Sequence, residues 1–241
     1  MTLKLTLEYD GTGFHGWARQ PALRTVESTL RDALDATFSR VGTLSVAGRT
    51  DAGVHATGQV ASVTVAGGPP PSRAAEALNA VLPDDLAVVA AEEAPEGFDA
   101  RQSARARSYR YRVLVSRARS PLESRRALWW PRPVELESLQ AGARLLTGEH
   151  DFRAFTPTET QHTVFLRHVE TADWARHGDG LEFTITADSF LRHMVRTLVG
   201  TMLEAGVDAP ARIGRLLDGQ HRRHAGLTAP PHGLYLEQVR Y

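Results

Sequence analysis

Stretches of apolar–polar alternation, each followed by a stretch of helical period, restrict the fold of this chain more than any other feature. Leu3, Leu5, Leu7 and Tyr9 alternate with Lys4, Thr6 and Glu8, the pattern of a strand with one buried face. From Thr25, a residue type suited to an N-cap, Val26, Leu30, Leu34 and Phe38 recur every four residues, which predicts an amphipathic helix to about Arg40. Residues 60–65 then read as a strand, 73–81 as a helix and 85–91 as a strand, separated by Gly67-Gly68-Pro69-Pro70-Pro71 and by Pro83. A second series begins where Tyr109, Tyr111, Val113 and Val115 alternate with Arg110, Arg112 and Leu114. Leu136, Leu139, Ala143 and Leu146 share a helical face closed by Gly148, and Leu181, Phe183, Ile185 and Ala187 alternate again. A helix from about Ser189 to Ala205 and a strand from Leu234 to Val239 complete the series. The two halves share this order without a residue-level repeat. Too few strand–helix–strand crossovers lie close together for a wound parallel sheet. The expectation is an α+β fold of two similar lobes, residues 1–104 and 105–241, with mostly antiparallel sheets and helices packed on them.

A length of 241 residues suits one large or two small domains. The absence of cysteine excludes disulfides, Cys-zinc sites, Fe–S ligation and thiol catalysis. No apolar run approaches the roughly 18 residues of a membrane span, so a soluble cytoplasmic protein is expected. Lys plus Arg is 28 and Asp plus Glu is 28, a net charge of zero, which by itself argues against a nucleic-acid partner. The sum is an average, however. Between Ala100 and Leu122 stand seven arginines, Arg101, Arg105, Arg107, Arg110, Arg112, Arg117 and Arg119, and no acid. Alternation puts Tyr109 and Tyr111 on one sheet face and cations on the other, an arrangement suited either to a solvated strand or to RNA.

Gly11-Thr12-Gly13-Phe14-His15-Gly16 matches G-x-G-x-x-G after a strand, but Pro21 falls where the helix of a dinucleotide site would be gaining its first turns. A loop is expected there instead. The segment Gly48-Arg49-Thr50-Asp51-Ala52-Gly53-Val54-His55 holds a carboxylate, a guanidinium and an imidazole in a glycine-punctuated loop. It reads either as a turn in which Asp51 accepts backbone hydrogen bonds, or as a site in which Asp51, kept ionised by Arg49, is a nucleophile or general base. Spacing leaves both open. His221-Arg222-Arg223-His224 and Glu149-His150-Asp151 fit no common metal-ligand spacing, and Arg222 and Arg223 would raise the cost of a cation beside the histidines. In the helix of residues 189–205, Leu191, Met194, Val195, Leu198 and Met202 form a core arc, with Arg192 and Arg196 one turn apart off it, facing either solvent or a groove.

Taken together these segments resemble the tRNA pseudouridine synthases of the TruA type. The matching pieces are Tyr9-Asp10-Gly11-Thr12 through Gly16-Trp17, the run Gly48 to Ala56, Phe98-Asp99-Ala100-Arg101, Tyr109-Arg110-Tyr111, and His150-Asp151-Phe152. Phe190 through Met194-Val195-Arg196 to Gly200, and Thr228-Ala229-Pro230 to Gly233-Leu234-Tyr235-Leu236, complete the set. They span nearly the whole chain in family order. The resemblance implies that Asp51 is the essential aspartate, Arg49 the motif arginine, Tyr109 the tyrosine near the active site and Arg196 the arginine that pairs with the aspartate. It also implies a basic cleft between two α+β lobes, and a homodimer that clasps the anticodon arm of tRNA and modifies uridines at positions 38, 39 and 40. No metal or organic cofactor is implied. The chain departs from the family at Ala18, where Gln is common, at Asp99, where His or Asn is usual, and in the tail segment holding His221 and His224.

Isomerising uridine needs one carboxylate, which adds to the uracil ring or to C1′, or assists ribose deprotonation as cationic character develops on the sugar. The sequence does not rank these routes. A non-catalytic RNA-binding protein of the same fold is the competing class, and a metal-dependent hydrolase a distant third.

Overall fold

A computed structural model describes residues 1–160, 162–178 and 180–241. The fold is α+β, its strands paired mostly antiparallel, and the chain divides into two compact units, one of residues Met1–Arg105 with Tyr235–Tyr241, the other of residues Ala106–Leu234. Sequence order places the last strand with residues 105–241. The structure returns it to the first unit.

In the first unit, β1 (Thr2–Tyr9) lies between β3 (His55–Ala66) and β4 (Leu86–Glu93), antiparallel to both, and β2 (Arg40–Val46) pairs with β3. β10 (Leu234–Arg240) runs parallel to β3, with Tyr235 opposite His55 and Leu236 opposite Ala56. The expected alternation is present: Leu3, Leu5 and Leu7 are fully buried, each worth about 1.5–3 kcal/mol over an exposed side chain. The helix α1 (Val26–Thr37) opens at Thr25 with a capping box, Thr25 Oγ1 accepting from Ser28 N–H at 3.2 Å and Ser28 Oγ accepting from Thr25 N–H at 3.1 Å. It buries Val26, Leu30 and Leu34. It stops short of the predicted Arg40 because Phe38 is already extended and Arg40 opens β2. The helix α2 (Pro71–Asn79) starts on a proline, whose missing N–H costs nothing at that position.

In the second unit, β9 (Gly180–Ala187) lies between β5 (Ala106–Val115) and β8 (Leu166–His177), antiparallel to both, and β7 (Gly148–Asp151) adds to β8. The short β6 (Leu128–Trp130) runs parallel to β5. The helices α3 (Leu136–Arg144), α4 (Met194–Ala205) and α5 (Ala209–Leu217) pack on one another, α3 also on β8 and α4 on β5.

The helix predicted from Ser189 begins only at Met194. His193 has φ of +61°, a left-handed turn rare for a residue with a side chain, and it separates the buried Leu191 from the helix proper. Arg192 therefore precedes α4, and the pairing of Arg192 with Arg196 one helical turn apart does not occur. Gly148 opens β7 rather than capping α3, whose last turn closes on Leu145.

Candidate active site

Asp51 sits on the loop between β2 and β3, half-buried beside the buried Thr50 and the exposed Arg49. That loop is fixed from two sides within the first unit. On one side the segment after β1, Gly11 to Trp17, grips its main chain: Trp17 N–H donates to Thr50 O at 3.0 Å and Gly53 N–H to Phe14 O at 3.3 Å. The approach is close enough to require glycine. A Cβ on Gly11 would lie 2.0 Å from Val54 O, and one on Gly16, whose φ is +88°, 2.9 Å from Thr50 O. Gly11 and Gly16, the first and last glycines of G-x-G-x-x-G, thus serve a backbone-to-backbone contact and not a dinucleotide. Gly11–Gly13 is a single 3-10 turn, and α1 opens only at Val26.

On the other side, three buried side chains hold the loop. Gln59 Nε2 donates to Gly48 O at 2.6 Å and to Tyr9 Oη at 3.3 Å, while its Oε1 accepts from Val60 N–H. An amide nitrogen only donates, so the Tyr9 hydroxyl gives its own proton to Thr50 Oγ1, 2.8 Å away. Burial pushes the Tyr9 phenol up to about 12, against the opposing effect of its bonds to Thr50 and Gln59, so Tyr9 remains a donor at neutral pH. His55, 1% exposed, closes the far end of the loop. Its Nδ1 accepts from Gly11 N–H at 3.1 Å with Asp10 Oδ1 at the same distance, and its ring stacks on Tyr235 at 4.7 Å. Val54 N–H donates to Asp51 O at 3.2 Å. The net effect is that Asp51 stands on a loop of fixed shape, as positioned chemistry requires.

Asp51 and Arg49 therefore share one loop of the first unit, whereas Tyr109 and Arg196 belong to the second. Tyr109 stands on β5 opposite Ile185, 8% exposed, with its ring edge-on to Phe190 at 4.9 Å. Arg196 is half-buried in the first turn of α4, and its Nε donates to Ala229 O at 2.7 Å while Ala229 N–H donates to Arg196 O at 3.0 Å. The same Thr228-Ala229-Pro230 segment takes the Tyr111 hydroxyl on Pro230 O at 2.7 Å and Arg222 Nη2 on Thr228 Oγ1 at 3.0 Å. Burial raises the Tyr111 phenol well above its ordinary value, the Arg196 charge working against that rise. Tyr111 is fully buried, so both tyrosines expected on one face are turned inward, Tyr111 more completely than Tyr109.

Arg110 and Arg112 are not an open cationic face: Arg110 pairs with Glu182 at 2.8 Å and Arg112 with Glu123 at 3.1 Å. Asp99 caps a turn, accepting from the N–H groups of Arg101 and Gln102 at 2.8 Å each. Burial alone would raise its carboxyl, but bonds from Gln102, Ser45 and Arg101 together hold it below its ordinary value. The histidines take local hydrogen bonds: His150 Nε2 with Thr147 O, His221 Nδ1 from Arg223 N–H, and His224 Nε2 from Arg223 Nε. Among the described residues no group of three His, Asp or Glu side chains is placed to hold a metal, and no helix is long and apolar enough to cross a membrane. Gln59 and His193 carry structure that the sequence does not announce. Gln59 offers no motif signal, and its role appears only once β3 is laid beside β1.

Comparison with known sequences places this α+β chain, with its clamped aspartate loop, among enzymes that modify RNA. The sequence profile described as tRNA pseudouridine synthase matches residues 6–101 and 143–241, and the chain belongs to that family. Similar proteins include tRNA pseudouridine synthase A of Myxococcus xanthus, 42% identical over 244 residues covering 99% of this chain and 91% of that protein. The proteins of the same name from Bacillus subtilis, 39% identical over 245 residues, and Bartonella tribocorum, 37% identical over 243, cover 100% and 99% of this chain and 99% and 98% of their own lengths.

Proposed function

We propose that this chain converts uridine to pseudouridine at positions 38, 39 and 40 of the tRNA anticodon arm, with Asp51 as the essential carboxylate and Arg49, Tyr109 and Arg196 as substrate-binding residues. Membership of the family makes it an isomerase that acts on tRNA. The observation that carries the finer reading is the half-buried Asp51 on a loop held at Gly48, Thr50 and Gly53 by bonds from two other segments.

In the reaction the N1–C1′ bond breaks, the uracil ring turns and C5 joins C1′. The C5 hydrogen leaves as a proton and N1 takes one up, so nothing is gained or lost. The target base must leave its stack, at about a few kcal/mol, and stacking on an aromatic such as Tyr109 returns about 1–3 kcal/mol. Arg49, exposed beside Asp51, suits a phosphate of the flipped nucleotide, and Arg196 suits the orientation of the reacting groups. The protein acts in the cytoplasm as a homodimer and uses no cofactor. Mapping pseudouridine after incubation with unmodified tRNA tests the site. Modification confined to positions 38–40 supports the reading, and modification elsewhere in the tRNA contradicts it.

A further inference from the structure

One end of the sheet in the second unit gathers exposed cations on a well-built support. β5 and β6 run parallel with Val115 beside Trp130, so both finish at that end. The end of β8 and the start of β9 lie there too, since Leu114 faces Gly180 across β5 and β9 and His177 faces Gly180 across β8 and β9. Arg117 and Arg119 follow β5, Arg132 follows β6 and Arg176 is the last residue but one of β8, and all four are exposed. Ser116, Ala118, Ser120, Glu123 and Arg176 line one open hollow of about 600 Å³.

The support is specific. Trp129, 41% exposed, donates its Nε1 proton to Ser116 O at 2.9 Å, which pins the root of the arginine-bearing segment. Ser116 Oγ donates to Ala118 O, and the Arg132 guanidinium lies 5.2 Å over the Trp130 ring. The acid in the hollow, Glu123, is engaged by Arg112 at 3.1 Å. The body of β5 is neutralised by Glu182 and Glu123, whereas the end of the sheet presents its arginines outward.

We propose that this end of the second unit binds the ribose–phosphate backbone of the tRNA body, beyond the arm that carries the target uridine. Guanidinium groups match phosphate geometry, and Arg beside an exposed aromatic suits a nucleic-acid surface. Tyr109 and Val115 are six residues apart on one strand, about 20 Å at roughly 3.3 Å per residue. The cations are thus out of reach of a base held at Tyr109 and meet phosphates several nucleotides away. Contacts so far from the chemistry contribute uniform binding, which acts on KM and not on kcat. The proposal rests on Tyr109 meeting the target base.

The test compares wild type, the triple variant Arg117→Ala, Arg119→Ala, Arg176→Ala, and the same positions changed to Lys. Each is assayed for turnover and equilibrium binding on whole unmodified tRNA and on the isolated anticodon arm, across a salt series. The Ala variant is expected to raise KM on whole tRNA about tenfold or more with kcat unchanged, and to flatten the slope of log affinity against log salt by about two to three. The isolated arm should not distinguish it from wild type, and the Lys variant should recover most of the salt slope. Unchanged KM and slope on whole tRNA, or a change in oligomeric mass marking the face as a protein contact, would overturn the proposal. Wild type that binds tRNA without turning it over would instead sink the proposed activity, and the salt slopes would still judge the surface.

Discussion

Tyr9 shows how much of the site is decided one residue at a time. Its place on an alternating strand is legible in the sequence, and so is its burial. Its proton's destination is not, because Thr50 and Gln59 lie 41 and 50 residues away in the chain and meet it only across β1 and β3. The consequence is a pH dependence. The phenol titrates near 10 when unfolded and is pushed up to about 12 when folded, so its contribution to stability is fully present below pH 10 and is lost as pH rises through 12. Urea unfolding should show stability falling across pH 10–12 with a slope about one proton steeper in wild type than in Tyr9→Phe. Equal slopes would mean that Tyr9 is not buried as a donor. Asp51 presents the opposite case: its motif is conspicuous, yet composition and spacing alone allow an ordinary turn. The bonds that hold Gly48, Thr50 and Gly53 fix the loop that carries it, and neither composition nor spacing announces them.

Among the elements, β1, β5 and β9 are readable because their buried residues alternate along the strand, and β2 and β8 are not. β8 shifts register between Val169 and Thr171, so its buried residues Val169, Ala172 and Trp174 fall out of period two and give no strand signal. β2 has a similar shift between Val41 and Leu44 and buries no residue fully. The start of α4 at Met194 departs from the expected Ser189 for a different reason: apolar residues continue on helical spacing through Leu191, and nothing in the sequence announces that His193 turns left-handed. The loop of residues 11–17 offers the sharpest test at this scale. Gly16→Ala adds a Cβ 2.9 Å from Thr50 O at a φ of +88°, which must shift the Asp51 loop. Misplacement of that order costs about 10–100-fold in kcat, so single-turnover rates should fall by that factor while tRNA affinity changes little. An unaltered rate would show that the clamp does not set the geometry of Asp51.

At the scale of the whole molecule, a balance of 28 cations against 28 anions conceals an uneven distribution, and the structure changes which cations count. Arg110 and Arg112 of the acid-free stretch are paired, whereas Arg117 and Arg119 stand exposed at the end of the sheet. Sequence order also misplaces the last strand, since no local pattern tells which sheet a strand joins. Leu236, fully buried opposite Ala56, makes this testable. Leu236→Ala should cost about 2–5 kcal/mol and raise hydrogen exchange in β1 and β3 more than in β8 and β9. Equal loosening everywhere would contradict the division into units.

The central claim is that Asp51 performs the isomerisation, and release of the C5 hydrogen from labelled uridine in unmodified tRNA reads it directly. Wild type should release the label in step with pseudouridine formation, and Asp51→Ala should release none while binding the same tRNA with nearly unchanged affinity. Full release by Asp51→Ala would contradict the account.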